Sequence, residues 1–236
     1  MDDPRPGNVL LGARGAGSCG CRLPPQEGIG QTVSPSKSSA EAITAKLVTE
    51  VRACRLCEAH LPLGPRPVLQ VQSGARILIA GQAPGSKVHQ SGVPFDDASG
   101  ERLRDWMGID KTMFYDAACV AILPMGFCYP GTGNSGDLPP RPECAPAWRA
   151  RLLARMPDIE LTLVIGQYAQ AWHLKDECKA TLTETVMAWR NHWPAVLPLP
   201  HPSPRNNIWL KRNGWFDDEV IPALRKRVRD LLQSRG

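Results

Sequence analysis

Four blocks of largely apolar residues are spaced along the chain, and each has the length of a buried β-strand. The blocks are continuous rather than alternating, which is typical of parallel strands covered on both faces of a sheet. Two of them end at a glycine, Gly81 and Gly166. The predicted strands comprise residues 75–80, 119–123, 161–165 and 195–199.

Helical segments lie between these strands and carry apolar residues at helical spacing. The first begins near Ser38, just before the apolar stripe Ile43, Leu47 and Val51. Another begins at Ser99, which we expect to cap it. The predicted helices after the first are residues 99–107, 146–156, 168–174 and 216–232. Alternating strands and helices predict an α/β fold, a three-layer α/β/α sandwich around a central, mainly parallel four-stranded sheet.

The first 38 residues differ in composition from the rest of the chain. Residues 1–38 are rich in Gly, Pro, Ser and Arg and show no periodicity, which predicts a disordered N-terminal tail. Cys19 and Cys21 fall there, and we expect them to be unliganded thiols. Residues 39–236 have a suitable length for one α/β domain.

Composition limits the location and the partners of the protein. The net charge of +5 suits a nucleic-acid partner without requiring one. No apolar run is long enough to span a membrane, and the first residues lack the order of a secretory signal. Eight unevenly spaced cysteines do not form the pattern of a secreted disulfide scaffold. We therefore expect a cytoplasmic protein in a reducing compartment.

Two short motifs follow predicted strands and supply the first candidate chemistry. Gly81–Gly85 has the sequence Gly-Gln-Ala-Pro-Gly after one strand, and His201–Pro204 has the sequence His-Pro-Ser-Pro after another. Loops at the carboxyl ends of parallel strands commonly form the mouth of an active site. The pair therefore predicts a cleft with a tight glycine-bounded loop on one side and a histidine on the other.

Four cysteines provide a second candidate site. Cys54 and Cys57 form a CxxC pair, and Cys128 and Cys144 lie 16 residues apart around a segment rich in Gly and Pro. Four thiolates on irregular segments suit either a tetrahedral zinc site or a [4Fe–4S] cluster. The remaining alternative is that no metal binds and the thiols are small buried apolar groups.

These motifs resemble those of the uracil-DNA glycosylase superfamily, in which GQDPY-, GEAPG- or GINPG-like and HPS-like loops flank a flipped base. The segment VRACRLC at residues 51–57 and the later cysteine pair resemble the iron–sulfur, thermophile-type (family 4-like) branch. The similarity covers about residues 40–232. It implies an enzyme of base excision repair that removes uracil, or a related deaminated base, from single- or double-stranded DNA and leaves an abasic site. It also implies a [4Fe–4S] cluster on the four cysteines and a nucleoid-associated role.

The resemblance assigns roles to individual residues. His201 would donate a hydrogen bond to the departing uracil O2, and Phe95 would stack on the base. The alternatives are a histidine satisfied within a turn and an ordinary core phenylalanine. The loop after His201 would contact DNA, with Ile208, Trp209 or Leu210 as an apolar wedge. Gln82 would be a further catalytic residue, which orients water. The other residues implied in substrate binding are Gly81, Ala83, Pro84, Gly85 and Ser203, and those implied in phosphate contact are Arg205, Lys211 and Arg212.

This sequence departs from the family pattern where water is activated. Ala83 occupies the position of an aspartate in the efficient enzymes, and Gln82 the position of a common glutamate in the iron–sulfur branch. Asp96 and Asp97 are the nearest acids, and we expect Asp97 to substitute, with a solvated turn before the next helix as the alternative. The uracil-reading asparagine is also absent from residues 122–126. Two competing hypotheses therefore stay open: a protein of this fold that binds uracil or abasic DNA without efficient turnover, and an iron–sulfur redox or sensor protein.

Overall fold

The structure is a computed structural model and describes residues 37–134 and 136–233. The first helix begins at Lys37, close to the start predicted at Ser38. The rest of the predicted tail, including Cys19 and Cys21, lies outside the described residues. Among the described residues, no helix combines the length and the hydrophobicity needed to cross a lipid bilayer.

Helices separate the four strands of the central sheet along the described chain, as predicted. The strands are β1 (Ile77–Ala80), β2 (Val120–Ile122), β3 (Thr132–Gly133), β4 (Gly136–Asp137), β5 (Leu161–Ile165) and β6 (Val196–Leu199). The helices are α1 (Lys37–Arg52), α2 (Ser86–Ser91), α3 (Ala98–Met107), α4 (Lys111–Phe114), α5 (Cys144–Leu153), α6 (Gly166–Leu174), α7 (Leu182–Met187), α8 (Asn207–Arg212) and α9 (Ile221–Gln233).

The central sheet has the strand order β2-β1-β5-β6, and every pairing within it is parallel. The four predicted strands are therefore confirmed, and so is the three-layer α/β fold. β6 lies at an edge of this sheet, a position where Pro198 is tolerated because an edge strand needs fewer hydrogen-bond donors. The chain leaves β1 toward β2 on one side and later adds β5 and β6 on the other. The order therefore reverses at β1, and a crevice is expected at its carboxyl end.

Successive side chains of the strands enter two cores on opposite faces of the sheet. Ile77 and Ile79 pack in a cluster with residues of α3, α7 and α9, such as Leu103 and Leu224. Leu78 packs on the other face, in a cluster with residues of α1 and α5. This alternation is the period-2 geometry of strands, and burial on both faces explains why the strand sequences are continuously apolar.

The structure corrects the sequence-based account at two helices and adds a hairpin and four short helices, α2, α4, α7 and α8. α5 begins at Cys144 rather than at Pro146 and ends at Leu153. α3 is capped by Asp97 and not by Ser99, because the Asp97 carboxylate accepts a hydrogen bond from the Gly100 amide. The antiparallel hairpin β3–β4 was not predicted, and it lies between the last two cysteines of the candidate metal site.

Candidate active site

A cavity of about 400 Å³ opens at the carboxyl ends of β1, β2 and β6. Its volume is in the range of pockets that hold small molecules. Both sequence motifs reach it, the first through all five of its residues and the second through His201 and Ser203. The other predicted site residues that line the cavity are Phe95, Asp97 and Arg205.

The Gly81–Gly85 loop is fastened to the segment that follows β2. The Met125 amide donates to the Gly81 carbonyl over 2.9 Å, and the Gly126 amide donates to the Gln82 carbonyl over 2.9 Å. These bonds continue the parallel pairing of β1 with β2 beyond the strand ends. The backbone of the loop is therefore fixed at the cavity wall, to which Gln82 belongs.

Phe95 lies against the glycine that starts this loop. Its ring atom Cζ is 3.4 Å from the position that a Cβ on Gly81 would take, and its ring meets Phe114 edge-on at 6.1 Å. The φ angle of Phe95 is +56°, in the left-handed region that costs a side chain about 1 kcal/mol or more. Gly100 makes this conformation possible, because a Cβ there would overlap the Phe95 carbonyl oxygen. The fold thus holds a strained aromatic residue at the cavity wall.

The hydrogen bonds of His201 define its tautomer. The Ser203 amide donates to His201 Nδ1 over 3.2 Å, and because an amide can only donate, Nδ1 has to be the unprotonated nitrogen. Burial lowers the pKa of His201, an effect that the nearby Asp97 and Asp137 charges oppose and Arg205 reinforces. The imidazole is therefore neutral at pH 7, with its proton on Nε2.

Two side chains that the sequence did not single out hold the His201–Pro204 loop. Asn206 Nδ2 donates to the His201 carbonyl over 2.7 Å. Arg102, on α3, donates to the Pro202 and Ser203 carbonyls over 3.3 and 3.0 Å, and also to Asn207 Oδ1 over 2.7 Å. These contacts set the position of the imidazole relative to the first motif.

A comparison with known protein families matches residues 70–225 to the uracil DNA glycosylase superfamily. The chain belongs to this superfamily. The match spans the two motif loops, the whole parallel sheet and the cavity between them. Members of the uracil DNA glycosylase superfamily hydrolyse N-glycosidic bonds in DNA during base excision repair.

Three acids near the glycosylase cavity have different surroundings. Asp97 lines the cavity, but its Oδ1 is used to cap α3 over 2.9 Å. Asp96 pairs with Lys111 at 3.8 Å on the exposed surface. Asp137, from β4, lines the cavity on the side of Gly85, with Oδ2 3.4 Å from the position of a Cβ on that glycine. Asp137 has no signal in the sequence, because nothing in its Gly- and Pro-rich surroundings links it to the motifs.

The predicted DNA-contact residues divide into three groups. Arg205 lies at the cavity, packed on Gly136 of the hairpin. Trp209 is held within the fold, since its indole N–H donates to Thr183 over 2.8 Å and its ring packs on Trp215 and Phe216. Ile208 is 64% exposed, which is unusual for a large apolar residue. Lys211 and Arg212, on α8, are also exposed.

The four cysteines of the candidate metal site lie close enough for their charges to interact. Burial raises the pKa of Cys128 to about 11 and that of Cys144 to about 12. Burial also raises the pKa of Cys57, helped by the charges of Glu143 and Cys54. N–H groups point at two of the sulfurs, from the Trp148 indole to Cys54 at 3.2 Å and from the Phe127 amide to Cys144 at 3.4 Å.

The spacing of these thiols bears on what they could hold. Within residues 37–134 and 136–233, no three His, Cys, Asp or Glu side chains are grouped tightly enough for a single metal ion. N–H donors directed at thiolate sulfur are typical of the surroundings of iron–sulfur clusters. The four thiols, with N–H donors at two of them, form a donor set that fits either a [4Fe–4S] cluster or a zinc ion.

A buried arginine connects this region with the cavity. Arg149, on α5, has no exposed surface and donates to the carbonyls of Leu123 and Pro124 over 2.8 and 3.0 Å. Its guanidinium also bonds His173 Nε2 at 2.6 Å and lies over the Trp172 ring at 4.8 Å. Burial lowers the pKa of Arg149 to about 10, and burial together with the Arg149 charge lowers that of His173 to about 3. The guanidinium is charged at pH 7, and the imidazole is its neutral acceptor.

Proposed function

We propose that this protein is a monofunctional DNA glycosylase that removes uracil, or a closely related deaminated base, and leaves an abasic site. The observation that carries the proposal is the neutral His201 imidazole, whose Nδ1 accepts a backbone hydrogen bond and whose Nε2–H is left for a ligand in the cavity. Membership in the glycosylase superfamily supports the reaction class, and the resemblance of the two motif loops supports the choice of base.

The proposed chemistry relies on a donor that meets charge as it develops. Breaking the glycosidic bond leaves negative charge on the uracil, centred on N1 and shared with O2. A hydrogen bond from His201 Nε2 to O2 strengthens as that charge grows, so it stabilises the transition state more than the bound substrate. Phe95 would stack on the base, and the Gln82 amide would bind its polar edge or orient water. The Asp97 carboxylate would face the cationic sugar.

DNA would reach the cavity through base flipping, because a paired base is inaccessible inside the duplex. Ile208 is the proposed wedge, since it is the exposed apolar residue of the loop that follows His201. Arg205, Lys211 and Arg212 would contact phosphates around it. Trp209 would support the loop from behind through its contact with Thr183.

Cys54, Cys57, Cys128 and Cys144 would hold a [4Fe–4S] cluster, and the protein would then belong to the iron–sulfur branch of the superfamily. Zinc, or no metal at all, are the alternatives. The glycosidic bond breaks without electron transfer, so a bound cluster would tie together α1, α5 and the hairpin segment as a structural group. Its support is the set of four neighbouring thiols, which lie close enough for their charges to interact.

A second candidate function rests on Ala83 and Gln82. With no carboxylate in the motif loop, the same cavity would bind uracil or abasic DNA but release product slowly or leave the bond intact.

A cleavage assay on uracil-containing oligonucleotides, single- and double-stranded, separates these functions. Strand scission after alkaline treatment indicates an abasic product and supports the glycosylase, whereas retention of uracil DNA without scission indicates the binding protein. An iron–sulfur redox or sensor protein would show neither strand scission nor retention of uracil DNA, and its colour would change when oxidants are added. Oligonucleotides with hypoxanthine or xanthine at the same position define the preferred base.

A further inference from the structure

We propose that Asp137 is a catalytic carboxylate that receives a proton from the attacking water, in place of the acid missing from the Gly81–Gly85 loop. The inference rests on the proposed glycosylase function. It concerns a residue that lies about 50 positions beyond the first motif and belongs to a different structural element.

The hairpin β3–β4 brings this carboxylate to the cavity. Asp137 pairs with Thr132 in the antiparallel register, and the Thr132 hydroxyl donates to Asp137 Oδ1 at 3.4 Å. Tyr129, which is buried, bonds the same hydroxyl at 2.5 Å. The second carboxylate oxygen, Oδ2, faces Gly85. One oxygen is thus oriented by the hairpin, and the other is directed toward the motif loop.

Contacts across the cavity mouth fix the hairpin tip. Gly136 has a φ angle of +134°, a conformation that suits only glycine, and Arg205 packs directly on it. Any side chain at position 136 would displace the guanidinium. Arg205 therefore reaches from the His201 loop to the hairpin next to Asp137, which is exposed at the rim, where water can enter.

The other acids are less available for a proton transfer. Asp97 uses Oδ1 as the cap of α3, and protonation would weaken that cap. Asp96 is engaged with Lys111 on the surface and does not line the cavity. Gln82 is a neutral amide that can orient water but cannot accept its proton. Among the described residues that line the cavity, Asp137 is the carboxylate without a helix to cap.

The proposed step conserves atoms and charge. The bond between the sugar C1′ and uracil N1 breaks, and its electron pair leaves with the uracil, where His201 Nε2–H stabilises it. The water oxygen bonds to C1′, and one water proton passes to the Asp137 carboxylate and then to solvent. The uracil anion takes up a proton from solvent, so the products are uracil and an abasic sugar.

The test compares Asp137→Asn with Asp96→Asn in single-turnover excision of uracil from single-stranded DNA. Asp137→Asn should slow the chemical step by on the order of 10²-fold, the usual contribution of a positioned acid or base. Asp96→Asn, an exposed acid that does not line the cavity, should match the wild type. Affinity for the abasic product should be unchanged or higher in Asp137→Asn, because a negative charge near the DNA phosphates has been removed.

The outcomes separate the two proposals. An inactive wild type overturns the glycosylase and the Asp137 role together. An active wild type with an equally active Asp137→Asn overturns the role alone, and so does a parallel loss of rate and product affinity. If Asp137→Asn has a lower melting temperature than the wild type, the deciding experiment is uracil excision by Asp137→Ala with added formate. Recovery of excision supports the role of Asp137, and no recovery overturns it.

Discussion

The His201 imidazole is fixed by its surroundings before any ligand arrives. A backbone amide occupies Nδ1, and a side-chain amide, Asn206, holds the carbonyl of the same residue. The proton on Nε2 is therefore a consequence of local hydrogen bonding. A donor that is already oriented does not have to reorganise during the reaction, which is why such groups stabilise a transition state efficiently.

Replacement of His201 tests this role. His201→Ala should slow uracil excision by ~10²–10³-fold, the effect of removing one preorganised oxyanion donor. Binding to uracil DNA should change little, because the charge that the donor meets develops only in the transition state. Single-turnover rates and a binding titration measure the two quantities, and a melting curve confirms that the variant is folded. An unchanged excision rate would contradict the assignment.

The strained backbone of Phe95 depends on the absence of a side chain at position 100. Gly100→Ala should destabilise the fold by about 2 kcal/mol, a usual cost of overpacking, because the new Cβ would overlap the Phe95 carbonyl. It should also lower affinity for uracil DNA, since Phe95 has to move. Gly214→Ala is the matched control, with open space around the new methyl group. Urea unfolding and DNA binding measure the two effects, and equal behaviour of both variants would contradict the argument.

The loop that carries His201 is held by α3 through one side chain. Arg102 reaches two carbonyls of the loop and the first residue of α8. α3 in turn is positioned by its Asp97 cap and by packing of Leu103 in the core. The cap, the arginine and the strained Phe95 are thus parts of one short segment that shapes one wall of the cavity.

Loss of that connection should reduce activity more than stability. Arg102→Met keeps the aliphatic part of the side chain but removes the bonds to the loop, so the imidazole loses its fixed position. Excision should slow by on the order of 10- to 100-fold, as expected for small misplacements of a catalytic group. Arg190→Met, which removes an exposed ion pair with Glu219, is the control and should keep the wild-type rate. A wild-type excision rate in Arg102→Met would show that the His201 loop keeps its position without Arg102.

The contact between α5 and α6 predicts a dependence of stability on pH. His173 has a pKa of about 3 in the folded protein, against about 6.5 in an unfolded chain. The unfolded state therefore binds one more proton between these values, and stability falls as the pH decreases from about 6.5 toward 3. The contribution of His173 should approach ~1.4 kcal/mol per pH unit in that window.

The variant His173→Gln isolates this contribution, because glutamine can still accept the Arg149 hydrogen bond and does not titrate. The difference in unfolding free energy between wild type and variant should be constant above pH 7. It should shift in favour of the variant between pH 6 and 5, where the carboxylates are still mostly ionised. A difference in unfolding free energy that stays constant across this pH range would contradict the low pKa of His173.

Across the whole molecule, the proposed cluster joins parts of the chain that the sheet does not connect. Cys54 and Cys57 follow α1, Cys128 follows the β2 segment, and Cys144 begins α5. Cys54→Ser should abolish brown colour and most of the bound iron in anaerobically purified protein, and it should lower the melting temperature. Cys178→Ser, at a thiol outside the group of four, should retain the colour, the bound iron and the melting temperature of the wild type. Zinc in stoichiometric amount, or colourless wild-type protein, would contradict the cluster.

The sheet and its helices were predictable because buried strands and helix faces require apolar residues at regular positions in the sequence. Four apolar blocks became β1, β2, β5 and β6 because each strand is covered on both faces. Ser99 was expected to cap α3, but the capping oxygen belongs to Asp97, two residues earlier, since serine and aspartate are both good caps and spacing alone does not choose.

The hairpin β3–β4 could not be predicted in the same way. Each of its strands has two residues, too few for a hydrophobic period, and it lies among glycines and prolines. The proximity of Asp137 to His201 arises from a contact between residues far apart in sequence, for which no local pattern exists. The Asn206 and Arg102 contacts with the His201 loop escaped prediction for the same reason.

The hairpin is also a side branch of the chain, and this has an evolutionary consequence. Phe127 and Cys144, which flank it, are buried in the core beside Leu78, whereas Gly136 and Asp137 form the rim of the cavity. Thr132, Gly136 and Asp137 have to be kept because they position the proposed carboxylate, but the other residues of the branch can change while the sheet stays intact. For laboratory evolution, these other positions within residues 130–140 are accordingly the ones to randomise when a new substrate preference is sought.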